Sequence, residues 1–461
     1  MKVVRLSALS AAMLLLNACA ITESPLTLTL ESAAQWEVAD GLGNPIQIDP
    51  QWWQAFGSSQ LPDLIEEALK NNPDLMVAAE RVYQQELQLG IAGAGLLPGV
   101  GFSAGSNLRR TDAPDLRAQT AESSSASLSV SYEVDIWGKV AASVRGAQAQ
   151  LEVSQFDEEA LRLSIVAAVA SQYITLLGTE ERLQLAERNL ELAQRVLAIV
   201  DARYRNGSVS ELDLNRQETA VLSQRSAIVE LETRVKQQRW ALDLLLGQSP
   251  QTFRSLNEVF AEVRVPEVSA GIPSELLLRR PDLASAEARL LAANADIVQA
   301  RAALLPAIQL TGSAGLASNA LLSLTQPTSS LLIGAALSQL IFDGGRQRSQ
   351  VDLLESQQRQ LLETYRNLWL TALKEVEDTL SDLDQTRRQL LLQEQIEQRS
   401  ARALELAEIR YREGAEELST VLDAQRTLFQ ARDQLIQLQL NQMVATVNLY
   451  KALGGGWQRG S

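Results

Sequence analysis

Ser127-Leu128-Ser129-Val130-Ser131-Tyr132-Glu133-Val134-Asp135-Ile136 alternates without a break. Leu128, Val130, Tyr132, Val134 and Ile136 share one face, and Ser127, Ser129, Ser131, Glu133 and Asp135 share the other. Successive side chains of a strand point to opposite sides, so period two predicts a β-strand with one apolar and one polar face. A strand that crosses a bilayer takes roughly 9–11 residues and carries this pattern. The stretch sits in a region, 99–137, rich in Gly, Ser, Thr and Ala, and a region of the same character recurs at 307–343. Each offers two strands, at 99–109 and 126–136 and again at 307–316 and 331–341, joined by polar loops.

Four strands cannot close around a lumen, and an open sheet edge in hydrocarbon leaves backbone groups unpaired at several kcal/mol each. Other chains must therefore complete the sheet. Two chains give eight strands and an interior filled by side chains; three give twelve and room for a pore. Strand count alone does not choose between them.

The chain outside these regions is also written twice. Ala202-Arg203-Tyr204-Arg205-Asn206-Gly207 returns as Ile409-Arg410-Tyr411-Arg412-Glu413-Gly414. Asn72-Pro73-Asp74-Leu75 returns as Arg280-Pro281-Asp282-Leu283, Leu97-Pro98 as Leu305-Pro306, and Leu246-Gly247 as Leu453-Gly454. Lys139 to Arg205 contains no proline, and only Gly146 and Gly178 interrupt it; Arg346 to Glu413 has neither Pro nor Gly. At 1.5 Å per residue each is a helix of roughly 100 Å, too long for a globule. Val169, Leu176, Leu183, Leu190, Leu197 and Tyr204 recur at sevens, with Ala186, Ala193 and Val200 at companion positions. Val376, Leu383, Leu390, Leu404 and Tyr411 repeat the pattern, with Glu397 as its one break. A sustained seven-residue period predicts a left-handed supercoil.

These signals divide the chain as follows. Residues 1–18 are expected to form a lipoprotein signal peptide, on the lipobox given below, and 19–61 an N-terminal lipid-anchored and equatorial segment. The first repeat, 62–247, holds a short helix, the hairpin 99–137, the long helix 139–205 and a return helix 211–247. An equatorial connector, 248–272, leads to the second repeat, 273–454: a helix, the hairpin 307–343, the long helix 346–413 and a return helix 417–453. Residues 455–461 are a tail. Trp36, Trp52, Trp53 and Trp457 are expected to pack around the equatorial belt.

Lys2, Arg5 and the apolar run to Leu16 read as a secretory signal, and Leu16-Asn17-Ala18-Cys19 is similar to a bacterial lipobox. Cys19, the only cysteine, is the candidate lipidation site, with a diacylglycerol thioether and an N-acyl group holding the chain to a membrane. Ala20 fits export to the outer membrane. Loss of Lys2 and Arg5 takes the formal charge from −15 to −17, which disfavours nucleic acid as a partner. With no histidine and a single cysteine, zinc, haem and imidazole acid–base chemistry are poorly supported; no metal or cofactor site is expected. The many carboxylates lie on polar helix faces, so no catalytic residues are assigned.

The chain resembles the bacterial outer membrane efflux protein family, the TolC-like factors, and in particular their lipoprotein branch associated with drug pumps. The resemblance rests on Tyr204-x-x-Gly207 and Tyr411-x-x-Gly414, Asp213, Val421-Leu422-Asp423-Ala424, Tyr132 to Gly138, and Ile341 to Arg346. It implies a mixed α/β membrane protein forming a homotrimer, with a twelve-stranded β-barrel continued by a twelve-helix α-barrel tunnel. It also implies a periplasmic adaptor, or membrane fusion, protein and an RND-type or ABC-type inner-membrane pump as partners, with outer membrane lipid around the barrel. The function so implied is that of a passive conduit for drugs or other small molecules, closed at its periplasmic tip at rest, and not an enzyme. Two alternatives are a dedicated channel for a siderophore, metal ion or polypeptide, and a periplasmic coiled-coil scaffold lipoprotein.

The resemblance also assigns residues. Hairpin turns at Gly207 and Gly414 stand at the tip, where Ser208, Val209, Ser210, Ala415, Glu416 and Glu417 meet the adaptor. Asp213 is expected to accept a hydrogen bond from Tyr411, and Asp423 to ring the constriction, as the periplasmic gate. Glu416 stands where relatives often carry an arginine, and Thr420 where a second ring aspartate is found. Trp137, Gly138, Gly344 and Gly345 mark the strand-to-helix junctions, where glycine relieves a sharp change of direction.

Overall fold

The structure, a computed structural model, describes residues 36–37, 48–112, 118–250, 258–266, 268 and 276–459. Cys19 and the signal segment lie outside them. The helices are α1 (Leu61–Asn71), α2 (Pro73–Ala94), α3 (Lys139–Arg205), α4 (Glu211–Leu245), α5 (Pro281–Ala302), α6 (Arg346–Arg412) and α7 (Leu418–Ala452). The strands are β1 (Gly99–Thr111), β2 (Gln119–Val134), β3 (Ala307–Ser318) and β4 (Thr328–Ser338). Arg81–Gln155 and Ser285–Arg366 belong to one compact unit; Leu30–Glu80, Phe156–Ala284 and Asn367–Ser461 make a second.

In the first unit the four strands form one antiparallel sheet in the order β1-β2-β3-β4. In both repeats the first strand starts at the residue after proline, at Gly99 and Ala307. Register aligns Phe102 with Leu128 and Leu128 with Ala314, and Gly312 with both Val130 and Ile333. The even positions of β1, β2 and β3 thus share a face with the odd positions of β4. That face carries Val100, Phe102, Leu128, Val130, Leu310, Leu331, Ile333 and Leu337, all of them exposed. The opposite face carries Gly101, Ser103, Ser127, Ser129, Thr311 and Ser313, with a hydroxyl pair between Ser103 and Ser127 at 2.9 Å. The strands differ from the sequence expectation at their ends. β2 begins at Gln119 because Thr120 and Ala121 pair with Arg110 and Arg109, and β4 occupies Thr328–Ser338, three residues early at both ends.

The strand-to-helix junctions are built by aspartates as much as by glycines. Gly138, Gly344 and Gly345 take positive φ, at 72°, 68° and 89°. The Asp135 carboxylate accepts the Val140 and Ala141 backbone N–H groups at 3.0 and 2.7 Å. Asp343 does the same for Gly345 and Gln347, both at 3.0 Å. Each satisfies donors that the first helical turn otherwise leaves orphaned, and sets an anion at the positive end of a helix. The Trp137 indole N–H donates to the Pro306 carbonyl at 2.7 Å and ties the two repeats together below the sheet.

In the second unit, α3 buries Val169, Leu176, Ala186, Ala193 and Val200. Leu183, Leu190 and Leu197, the leucines of the sevenfold pattern, are only half-buried. Part of α3 is apolar enough to cross a membrane by composition, and half of that window is buried within the fold. The break at Glu397 is matched: the Arg432 guanidinium donates to its carboxylate at 2.9 Å. Arg182 grips Asp433 through two bonds of 2.7 and 3.0 Å and adds Gln437 at 3.1 Å.

The repeat also shows in how return helices meet entering ones. The Asn72 amide donates to the Leu245 carbonyl at 2.8 Å, and Arg280, its counterpart, donates to Ala452 at 3.1 Å. Arg280 is held by Asp282 and Glu375; burial alone lowers its pKa, but these two carboxylates outweigh that and raise it. Gly247 and Gly454 allow the backbones to touch: a Cβ on Gly454 would lie 1.8 Å from the Arg279 carbonyl oxygen.

Trp52 and Trp457 pack against aromatic neighbours. Trp52 stacks on Tyr450 at 4.8 Å between ring centres, and Trp457 meets Phe156 edge-on at 5.8 Å. Beside them, Glu258 accepts hydrogen bonds from Ser58 Oγ at 2.5 Å, from the buried Tyr173 hydroxyl and from the Ser59 N–H at 3.2 Å. Burial pushes the Tyr173 pKa up, and its bond to Glu258 adds to the rise.

Candidate gate at the hairpin turns

Two hairpin turns, between α3 and α4 and between α6 and α7, begin in the same way. Gly207 and Gly414 have φ of 68° and 72°. Gly207 N–H donates to Tyr204 at 2.8 Å and Ser208 N–H to Arg203 at 2.9 Å; Gly414 donates to Tyr411 at 3.1 Å and Ala415 to Arg410 at 2.9 Å. This is the paired-bond C-cap in which glycine takes the left-handed conformation.

The turns finish differently. The first closes with a capping box: Asp213 N–H donates to Ser210 Oγ at 3.2 Å, while Ser210 N–H reaches back to Asp213 Oδ2 at 3.2 Å. Ser210 Oγ also donates to Asp213 Oδ2 at 2.7 Å. In the second turn Glu417 occupies the N-cap without a side-chain cap bond. Glu416 bridges it instead, pairing with Arg410 at 3.2 Å and accepting from Thr420 Oγ1 at 3.1 Å. Glu416 and Thr420 are therefore hydrogen-bonded to each other across this turn.

Tyr411 is 8% exposed and packs in a cluster with Val196, Val200, Leu404, Ala407, Leu418, Val421 and Leu428. This apolar core joins the two hairpins. The Arg203 guanidinium lies over the Tyr411 ring, 4.4 Å from its centre. A cation over an aromatic face is worth ~0.5–2 kcal/mol depending on desolvation. Among the described residues the Tyr411 hydroxyl has no hydrogen-bond partner.

The expected Asp213–Tyr411 bond is thus not formed within one chain: Asp213 Oδ2 accepts from Ser210, and the Tyr411 hydroxyl has no partner among the described residues. Arg203 holds Tyr411 in its place. Asp423 lies on an exposed face of α7, its side chain 70% exposed and paired with Arg426 at 3.2 Å. Gln217 is fully buried and donates to the Ala193 carbonyl at 2.6 Å; on α7 Gln425 is buried too, and among the described residues its amide nitrogen has no partner. Arg203, Arg410 and Arg426 escaped the sequence reading as site residues. The first two could have been found there, since Arg-Tyr-Arg precedes both turns. No group of three or more His, Cys, Asp or Glu side chains among the described residues is placed to hold a metal ion.

A four-stranded sheet with one apolar face, joined to long paired helices with glycine-capped turns, defines an outer-membrane channel protein. The family model described as "Outer membrane efflux protein" matches the chain twice, over residues 64–248 and 272–455, and the chain belongs to that family. It is 40% identical to the pyoverdine export outer membrane protein OpmQ of Pseudomonas aeruginosa, over 98% of this chain and 96% of the relative. It is 34% identical to the toluene efflux pump outer membrane protein TtgI of Pseudomonas putida, over 97% of each. Among solved structures, the Campylobacter jejuni CmeC outer membrane channel aligns with a TM-score of 0.87 at 26% identity, over 96% of each chain.

Proposed function

We propose that this chain forms the outer-membrane exit duct of an export assembly with a dedicated cargo, a secreted metabolite of the pyoverdine or siderophore kind. The observation that carries this is the 40% identity, over nearly the whole chain, to proteins named for pyoverdine export, against 34% to one named for toluene efflux. The unpaired edges of β1 and β4 support assembly as a homotrimer, since twelve strands close a barrel wide enough to conduct. A lipid on Cys19 adds an anchor in the outer membrane. The hairpin turns, with Ser208, Val209, Ser210, Ala415, Glu416 and Glu417, meet a periplasmic adaptor, and an RND-type or ABC-type pump supplies the energy. At rest the tip is closed, with Arg203 on Tyr411 and Glu416 between Arg410 and Thr420 as the holding contacts and Asp423 lining the lumen.

The test is expression in a Pseudomonas aeruginosa strain lacking its pyoverdine export outer membrane protein. Restored pyoverdine in the medium, with unchanged drug sensitivity in a pump-deficient background, supports the dedicated reading. Restored resistance to solvents or antibiotics without pyoverdine export would return the protein to general drug efflux.

A further inference from the structure

Residues 319–327, which connect β3 to β4, do not stand away from the sheet. Register sets Ser106, Ser124 and Ser318 in one row across β1, β2 and β3. Their parity is that of Val100, Phe102, Leu128 and Leu310, so the row lies on the apolar face, with Leu108 of β1 and Glu122 of β2 one step above it. The connection is tied to it at four points. Ser124 Oγ donates to the Ala320 carbonyl at 2.6 Å, and Leu322 N–H donates to Ser106 Oγ at 2.9 Å. Leu321 N–H donates to Glu122 Oε2 at 3.2 Å, and Ser318 Oγ donates to the Thr325 carbonyl at 2.7 Å. Leu322 has a φ of 55°, a left-handed conformation costly for leucine and sustained here by these bonds. The loop therefore crosses back from β3 over β2 to β1, on the apolar side.

Its sequence is Ala320-Leu321-Leu322-Ser323-Leu324. All three leucines are exposed, Leu322 at 86%. Adjacent exposed leucines pinned in a strained turn are a poor arrangement in water but a good one in hydrocarbon. The strand dimensions agree. From Ile308 to Leu316 the apolar positions of β3 cover eight residue steps, roughly 26 Å of strand and about 20 Å of membrane depth at a 40° tilt. An outer-membrane barrel needs an apolar band of about 25 Å. Leucines tied above the serine row extend the band where it falls short.

We propose that this loop is a lipid-seated rim: it lies on the barrel's outer wall, and Leu321, Leu322 and Leu324 enter the hydrocarbon of the outer leaflet. The partner is lipid acyl chain, continuous with the band on the strands below. The inference rests on the barrel reading, and the test separates the two. Leu322→Cys and Ile333→Cys are each labelled with a thiol-reactive bimane in vesicles of ordinary or brominated phosphatidylcholine, with wild-type protein as the labelling blank and Leu321→Cys as a second loop position. At both Leu322 and Ile333 brominated lipid should quench emission roughly twofold or more, and aqueous iodide should have little effect. Iodide quenching at Leu322 and Leu321, with lipid quenching kept at Ile333, overturns the rim and leaves the barrel. Loop positions that neither agent reaches are covered by protein, which also overturns it. Loss of lipid quenching at Ile333 overturns the barrel itself.

Discussion

Tyr411 is buried with a hydroxyl that has no partner among the described residues, which separates two substitutions that a hydrogen-bonded latch would join. Removing an unpaired buried hydroxyl is neutral or slightly favourable, whereas losing the ring empties the cluster between the hairpins. In planar bilayers Tyr411→Phe should keep the wild-type conductance. Arg203→Ala, which uncovers the ring, should raise it. An open channel in Tyr411→Phe with no change in Arg203→Ala would restore the hydroxyl as the latch. The glycines are equally unequal. Gly414→Ala meets open space and costs about 1 kcal/mol for its positive φ. Gly454→Ala drives a methyl into the Arg279 carbonyl and should cost about 3 kcal/mol, through both strain and overpacking. Thermal unfolding of the purified variants should rank them in that order. Glu258 gives a pH signature. Burial raises its pKa, but the bonds from Ser58, Tyr173 and the Ser59 and Gln60 backbones prevail and hold it below the ordinary 4.5. A depressed folded-state pKa adds stability above the unfolded value, and that stability is lost as pH falls through the folded one. Glu258→Gln should therefore lower the unfolding midpoint at pH 7, and the gap should close as the medium is acidified below 4.5.

At the scale of elements, the aspartates before α3 and α6 carry a prediction of their own. Asp135→Ala leaves the Val140 and Ala141 N–H groups without their acceptor and should cost about 1 kcal/mol, seen as faster amide exchange across the first turn of α3. Unchanged exchange there would mean that Gly138 alone makes the junction. The strands were legible because their alternation is written in adjacent letters, as from Leu128 to Ile136. The long helices were legible because breakers are missing. Which stripe of α3 lies inside was not: Leu183 and Ala186 belong to neighbouring stripes, and burial follows the partner helix, which the local sequence does not name. The Asp213–Tyr411 pairing failed for a reason the sequence did contain. Ser210-Glu211-Leu212-Asp213 is a capping-box pattern, which places the Asp213 carboxylate at the start of its own helix. Cys19, by contrast, was read from its lipobox neighbours alone and lies outside the described residues.

For the whole molecule, the two faces of the sheet make opposite demands. Ile333→Lys sets a charge on the apolar face near the middle of β4, where burial in lipid costs about 2–4 kcal/mol. Ser313→Lys sets the same charge on the hydroxyl-lined face, which in a closed barrel is wet. Heat-resistant oligomer recovered from outer membranes should fall for Ile333→Lys and persist for Ser313→Lys. Equal loss in both would mean that neither face meets lipid.

The unlike endings of the two hairpin turns have a larger consequence once three chains assemble. In the proposed homotrimer the duplication would supply six hairpin turns of two alternating kinds. Three would be locked into their helices by the Ser210–Asp213 box, and three closed by Glu416 between Arg410 and Thr420, a bridge whose ion pair is open to salt. Such a ring would alternate rigid and compliant spokes. Six identical partner subunits docking on it would meet two mechanical environments, and a pull shared evenly among them would move every second spoke first.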